Sequence, residues 1–144
     1  VMLENYSKAV SIEAQLTLQV AQTMILPAAL RYQQQVAQTV LATREALALV
    51  TAGGGDAPMS SPQEALLGEV AELVGGLKVA TDALAAAHGA AHDEDGDELA
   101  HARYFHEVVI PAMAEVRAKA DTLELLVDDG LWPLPKYREM LFIY

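Results

Sequence analysis

Residues 61–84 read SPQEALLGEVAELVGGLKVATDAL, a run that starts a helix and then gives that helix one apolar face. Ser61 is a residue type that caps helix N-termini, Pro62 suits the first helical position, and Glu64 completes a capping box. The apolar residues that follow are spaced alternately four and three positions apart, at Leu66, Val70, Leu73, Leu77, Ala80 and Leu84. This spacing predicts a long helix that packs against antiparallel neighbours in a bundle.

The residues before this helix, from about 6 to 50, also have helical spacing. Apolar side chains recur every four positions, at Ile12, Leu16, Val20 and Met24. Pro27 interrupts the pattern, because a proline inside a helix removes one hydrogen bond and clashes with the preceding turn, at a cost of about 3 kcal/mol. We therefore predict either one helix kinked at Pro27 or two helices that meet near Leu26.

A third helix is predicted from about Asp97, and Gly130 suits the position just past its end. Its apolar side is formed by Phe105, Val109, Ala112, Val116, Leu123 and Val127. Pro111 lies inside this helix as Pro27 lies inside the first, and ILPA at residues 25–28 resembles VIPA at residues 109–112. We interpret the two stretches as similar kinks in two packed helices.

Length and composition agree with a helical domain. The chain has 144 residues, enough for one domain with a sizeable core. Hydrophobic residues make up 53% of it and aromatic residues only 6%, and the abundant Ala and Leu are strong helix formers. We predict one all-α domain over residues 1–144, an antiparallel helical bundle of three to four long, Pro-kinked helices.

Three segments lie outside the predicted helices. The run Gly53-Gly54-Gly55 predicts a linker at residues 51–60, and the acidic residues near 93–98 predict a loop at residues 88–98. The tail, residues 131–144, contains the only Trp of the chain and is too apolar for a solvated terminus. We expect it to dock on the bundle through Trp132, Pro133, Pro135, Tyr137 and Phe142.

The charge of the chain excludes several classes of partner. A net charge of −11 repels phosphate backbones and anionic lipid surfaces, so we expect no nucleic acid and no membrane as a partner. The chain has no uninterrupted apolar run long enough to span a bilayer. Its lack of Cys excludes disulfides and thiolate chemistry and is compatible with a cytoplasmic location. It begins with Val1 rather than Met, as a fragment of a longer protein would.

One cluster of residue types could bind a metal ion. His88 and His92 are four positions apart, and Asp93 and Asp95 follow, so imidazole and carboxylate ligands are close in sequence. The cluster lacks the ligand spacing of an EF-hand and the second Glu-x-x-His step of a di-iron bundle. A solvated acidic loop, whose carboxylates favour the N-terminus of the next helix, is the simpler interpretation. The residues show no catalytic constellation and no cofactor site.

Three stretches resemble the C-terminal region of type III glutamine synthetases. The tail, LWPLPKY at residues 131–137 with Leu141-Phe142, is similar to the Trp-Pro-x-Pro-x-Tyr-x-x-Leu-Leu-Phe ending of that family. The other matching segments are YSK at 6–8, IEA at 12–14, ILPA at 25–28, RY at 31–32, VVIPAM at 108–113 and RAKADTLE at 117–124. They occur in the family's order and with approximately its spacing over nearly the whole chain.

The resemblance implies a parent enzyme that makes glutamine from glutamate and ammonia, using ATP and a divalent metal. It also implies a homo-oligomer, and the partners of this chain would be the catalytic domain of the same polypeptide and neighbouring subunits. The family's catalytic and ATP-binding residues belong to an upstream domain, so none is assigned to this chain. Two hypotheses follow: a structural or assembly domain of such a synthetase, or a free-standing helical module for protein interaction or oligomerisation.

Overall fold

The computed structural model describes residues 1–51, 61–91 and 97–136. Within these ranges the chain is helical and forms no strand, which confirms the all-α prediction. Its elements are α1 (Met2–Val20), π1 (Ala21–Ile25), α2 (Leu26–Val50), α3 (Pro62–Ala90), α4 (Glu98–Tyr104), π2 (Phe105–Val109) and α5 (Ile110–Glu124), where π1 and π2 are single wide turns of π-helix.

The helices form three long arms. The first runs without a break through α1, π1 and α2, about 70 Å at the usual rise per residue. The second arm, α3, runs antiparallel to it, because Arg44 bonds Glu64 at one end and Ser11 bonds His88 at the other. The third arm, α4–π2–α5, runs back alongside α1, where Tyr6 Oη lies 3.2 Å from His106 Nδ1. The chain is thus an up-down-up bundle, as predicted.

Each interior proline is the second residue after a π turn. The N–H of Leu26 bonds the carbonyl of Ala21, and the N–H of Ile110 bonds the carbonyl of Phe105, each five residues back. A proline ring in an α-helix clashes with the carbonyl four residues earlier, and a wider turn moves that carbonyl away. The first arm is therefore one helix, not two that meet near Leu26. The bend angles at Pro27 and Pro111 stay predictions.

The third-arm helix ends earlier than predicted. α5 stops at Glu124, and the N–H groups of Leu125 and Leu126 make short i→i+3 bonds to Thr122 and Leu123. This tightening turns the chain so that Val127 becomes buried. Gly130 belongs to the next turn, where its N–H bonds Asp128 Oδ1 at 2.7 Å, and it is not the residue that terminates the helix.

The second arm is longer than predicted. His88, Gly89 and Ala90 belong to α3, so the expected loop at 88–98 begins only after them, and Glu98 already starts α4. The alanine-rich run before His88 favours helix, and the bond from His88 to Ser11 holds its last turn. The carboxylate of Asp97 caps α4 by accepting the N–H of Ala100 at 2.7 Å. Residues 52–60 and 92–96 lie outside the described ranges, so most of the predicted linker does too.

The core lies where all three arms meet. In this three-helix body (α1, π1, residues 73–90 of α3, α4, π2 and α5), the largest fully buried side chains are Phe105, Leu77, Leu84, Leu123, Val109 and Val116. The rest of the fold is a two-helix hairpin, formed by α2 and residues 62–72 of α3. Its own interior includes Val36 and Val40 on α2 and the fully buried Val70 on α3, which belongs to the same core cluster as the buried residues of the body.

The apolar stripe predicted for α1 is only partly correct. Ile12 and Leu16 are exposed over 57% and 55% of their surface, while Val10 and Ala14 face the core. Small side chains let the arms approach closely, and the same is true of Gly76 in α3, where an added Cβ would lie 3.3 Å from Lys119 Cε. The large residues of α1 thus remain on the outside while the small ones form the contact.

Candidate functional site

The predicted metal cluster is not assembled from described residues. His88 is buried, and its Nε2 lies 2.9 Å from Ser11 Oγ on the first arm. His92, Asp93 and Asp95 lie outside the described ranges. Among the residues that the structure describes, no three His, Cys, Asp or Glu side chains are grouped so that they could hold a metal. The metal site therefore stays a prediction, and His88 is turned towards α1.

The contact between Ser11 and His88 has the atoms of a nucleophile–base pair but not its surroundings. A serine nucleophile also needs an oxyanion hole, that is, N–H donors aimed at the developing negative charge. Ser11 lies in the middle of α1, where the backbone N–H groups are committed to the helix ladder. The pair is therefore an inter-helix hydrogen bond that fixes the position of α3 along α1.

Further polar side chains hold the end of the body together. Tyr104 Oη donates to the carbonyl of Ala87 at 2.7 Å, and His101 Nε2 lies 3.0 Å from the carbonyl of Ala91. These carbonyls lie at the C-terminal end of α3, where Ala91 is the first residue after the helix and its N–H also bonds the carbonyl of Ala87 at 3.3 Å. Sequence analysis did not identify Tyr104 as a functional residue, and it considered His101 only as part of the His-rich acidic cluster, in a single Glu-x-x-His step with Glu98. Their polar tips within an apolar helix face were the available signal.

A cavity of about 400 Å³ lies next to this polar network. Its lining includes Glu4, Ser7, Ser11 and His101. Ser7 Oγ is buried and has no hydrogen-bond partner among the described atoms. At the rim, the bond from Lys8 lowers the pKa of the exposed Glu4 carboxyl. The cavity holds hydroxyl and imidazole groups, but no pair of them is arranged for proton transfer to a bound substrate.

The two-helix hairpin exposes apolar side chains along α2. Leu41 is 61% exposed and Leu49 82%, and Leu30, Leu47 and Val50 are also accessible. The hairpin is held from inside by Val36 and Val40 and at its rim by Arg44, whose Nη2 lies 2.7 Å from Glu64 Oε1. This bond raises the pKa of the Arg44 guanidinium. The exposed apolar side chains are thus distributed along the length of α2 and around it.

The described part of the tail, residues 131–136, forms one wall of a cleft that is separate from the cavity above. Leu131, Trp132 and Leu134 pack half-buried against the core, and Pro133 is half-buried beside them. A cleft of about 320 Å³ lies between this segment, the end of the α1–π1 helix and α5. Its wall on the tail side is formed by Trp132, Leu134 and Pro135. Tyr137 and Phe142, also expected to dock, lie outside the described residues.

None of the helices in the described ranges is both long and apolar enough to cross a bilayer. The polar groups described above connect helices to one another. Large exposed apolar side chains lie on the hairpin, as at Leu41 and Leu49, and also outside it, as at Ile12 and Leu125.

Comparison with known proteins confirms the resemblance found in the sequence. A sequence model of the family described as "Glutamine synthetase C-terminal domain" matches residues 1–44. Glutamine synthetase of Bacteroides fragilis (strain YCH46) is 34% identical over 143 residues, which cover 99% of this chain and 19% of that protein. Type-3 glutamine synthetase of Dictyostelium discoideum is 33% identical over 145 residues, with the same two coverages. The chain thus spans about a fifth of the length of these curated relatives.

Proposed function

We propose that this chain is a structural domain of a type III glutamine synthetase and that it contributes to assembly rather than to catalysis. The observation that carries the proposal is the alignment of 99% of the chain with only 19% of each much longer synthetase. The rest of such an enzyme would carry the reaction that makes glutamine from glutamate and ammonia with ATP and a divalent metal. The cytoplasmic location expected from the sequence belongs to the same proposal.

The two-helix hairpin supports an assembly role. An isolated pair of helices covers each member on one side only, and α2 leaves Leu30, Leu41 and Leu49 in water. At about 25 cal/mol per Å² of apolar surface, covering such side chains favours association. We therefore assign the exposed face of α2 to contact with the catalytic domain or with a neighbouring subunit of a homo-oligomer.

The hydrogen bonds at the C-terminal end of α3 support a structural role for the three-helix body. The bonds of His88, His101 and Tyr104 all join helices of this domain. They fix the helices of the three-helix body relative to one another, and the hairpin extends from this body. The body would then serve as the support and the hairpin as the contact.

The test uses the product of the complete reading frame. We expect the double variant Leu41→Asp, Leu49→Asp to reduce oligomer size in light scattering, because two charges would be buried in the contact. The control Leu125→Asp changes an equally exposed apolar residue, 84% accessible, on the body. It should leave the oligomer intact.

Two results would count against the proposal. If the hairpin variant assembles as the control does, α2 is not the contact. If the complete reading frame encodes no synthetase domain, the alternative of a free-standing interaction module replaces the proposal, and the hairpin variant then reports on its self-association.

A further inference from the structure

We infer that the cleft between α1, α5 and the segment 131–136 is the docking site for residues 137–144 of the same chain. The inference does not depend on the proposed function, because it concerns contacts within this domain. It rests on the chemistry of the cleft, on the place where the described chain stops, and on the composition of the residues that follow.

The cleft is apolar inside and charged at its edge. Its floor is made of aliphatic side chains from α1, π1 and α5, namely Leu16, Val20, Ile25, Val116 and Ala120. Arg117, Asp121 and Glu124 stand at the edge, on one side of α5. Leu16 is more than half exposed although it lines the cleft, so the cleft has apolar surface that no described residue covers.

The described chain stops at this cleft. Trp132 N–H bonds the carbonyl of Asp128 at 3.0 Å, which fixes the start of the segment. Lys136 Nζ bonds both the carbonyl of Val127 and, at 2.7 Å, the carboxylate of Asp129. Pro135, one residue earlier, lines the cleft. The described chain therefore ends beside the opening.

The residues that follow match the cleft in chemistry and in reach. They read YREMLFIY, with four consecutive large apolar residues from Met140 to Ile143. Arg138 and Glu139 precede them, and the cleft edge carries charges of both signs, at Arg117, Asp121 and Glu124. Fully extended, eight residues reach about 26 Å, which exceeds the span of a cleft of this volume. Docking would place the apolar run against Leu16 and the floor and would cover Trp132.

Trp132 is the only Trp of the chain and lies in the cleft wall, so it reports on docking directly. We expect the chain ended after Lys136 to show Trp emission at longer wavelength and stronger quenching by iodide than the 144-residue chain. A synthetic peptide of residues 137–144, added to the shortened chain, should reverse both changes.

Matched variants test the two sides of the contact. Leu16→Asp in the 144-residue chain should shift Trp emission as truncation does. Ile12→Asp should not, because Ile12 is one turn away, equally exposed and outside the cleft lining. A Phe142→Asp peptide should bind at least about tenfold more weakly than the native peptide, the factor expected for losing the burial of one large apolar side chain. A Phe142→Leu peptide should retain most of the affinity.

Two results would overturn the inference. Trp emission that is the same in the 144-residue chain, the shortened chain and the Leu16→Asp variant would show that the tail does not occupy the cleft. A shift that appears only as the protein concentration rises would show that a second copy supplies the occupant. Neither result bears on the hairpin, so the proposed function would stand or fall separately.

Discussion

The three-helix body and the two-helix hairpin share the helix α3 but bury their side chains very differently. In the body, Phe105 is 2% exposed and Leu77 and Leu84 are fully buried, since three arms surround them. In the hairpin, α2 buries only small residues such as Val36 and Val40 and leaves Leu41 and Leu49 accessible. The body therefore covers most of its own apolar interior, whereas α2 of the hairpin leaves large apolar side chains that a partner could cover.

The largest expected effect is on the body. Phe105→Ala should destabilise the domain by about 3–5 kcal/mol, because it removes a large buried ring and leaves a cavity. Urea unfolding followed by circular dichroism measures the change. Leu41→Ala on the hairpin should stay within about 0.5 kcal/mol of the parent in the same assay, since it removes an exposed side chain. Equal losses would mean that the isolated chain already covers the hairpin.

A matched pair of valines compares the two interiors with the same chemical change. Val116→Ala in α5 should cost about 2 kcal/mol, because its surroundings on three sides cannot collapse around the lost methyl groups. Val40→Ala in α2 should cost about 1 kcal/mol, because a hairpin open to water relaxes more easily. Thermal unfolding of both variants measures the two losses in stability. A larger loss at Val40 would reverse the comparison.

The hydrogen bond between Ser11 and His88 should contribute less than these core residues. Ser11→Ala removes the hydrogen-bond partner of the Nε2 atom of the buried His88 imidazole, and losing this bond should cost about 1–2 kcal/mol. Denaturant unfolding of the variant measures this cost. Thr39→Ala on the hairpin is the control, since Thr39 bonds only its own helix, through the carbonyl of Gln35. Losses of the same size in the two variants would argue against a role for Ser11 in joining the arms.

The smallest expected effect is a gain. Gly75 lies inside α3, and an added Cβ would meet no atom within 4 Å, so Gly75→Ala should stabilise the domain by about 0.5–1 kcal/mol. Gly76→Ala should gain less, because the Lys119 side chain must move. Melting temperatures of the two variants decide this, and a loss at Gly75 would contradict the open space beside it.

Periodicity and helix signals predicted the arms but not which residues face inward. The 4-3 spacing in α3 correctly placed Val70, Leu77 and Leu84 in the core. In α1 the same reasoning chose Ile12 and Leu16, although Val10 and Ala14 make the contact. Large residues dominate any hydrophobic pattern, whereas close helix packing favours small ones. The pattern was therefore wrong for Ile12 and Leu16, while Val20 does pack against the core.

The π turns and the polar network needed tertiary structure to be found. Pro27 and Pro111 indicated irregular helix, but whether the chain breaks, kinks or widens depends on the neighbours packed around it. The position of His88 shows the same limit, because a helix end in an Ala-rich run is set by its partner, here Ser11. The resemblance to glutamine synthetases, carried by short collinear segments, was available from the sequence throughout.

Hydrogen–deuterium exchange of the α2 backbone tests the assembly role of the hairpin most directly. The amides around Leu41 to Leu49 would be followed in the 144-residue chain and in the assembled product of the complete reading frame. We predict fast exchange in the chain alone and marked protection in the assembly, because a covered helix opens less often. Equal exchange in the two states would contradict the account.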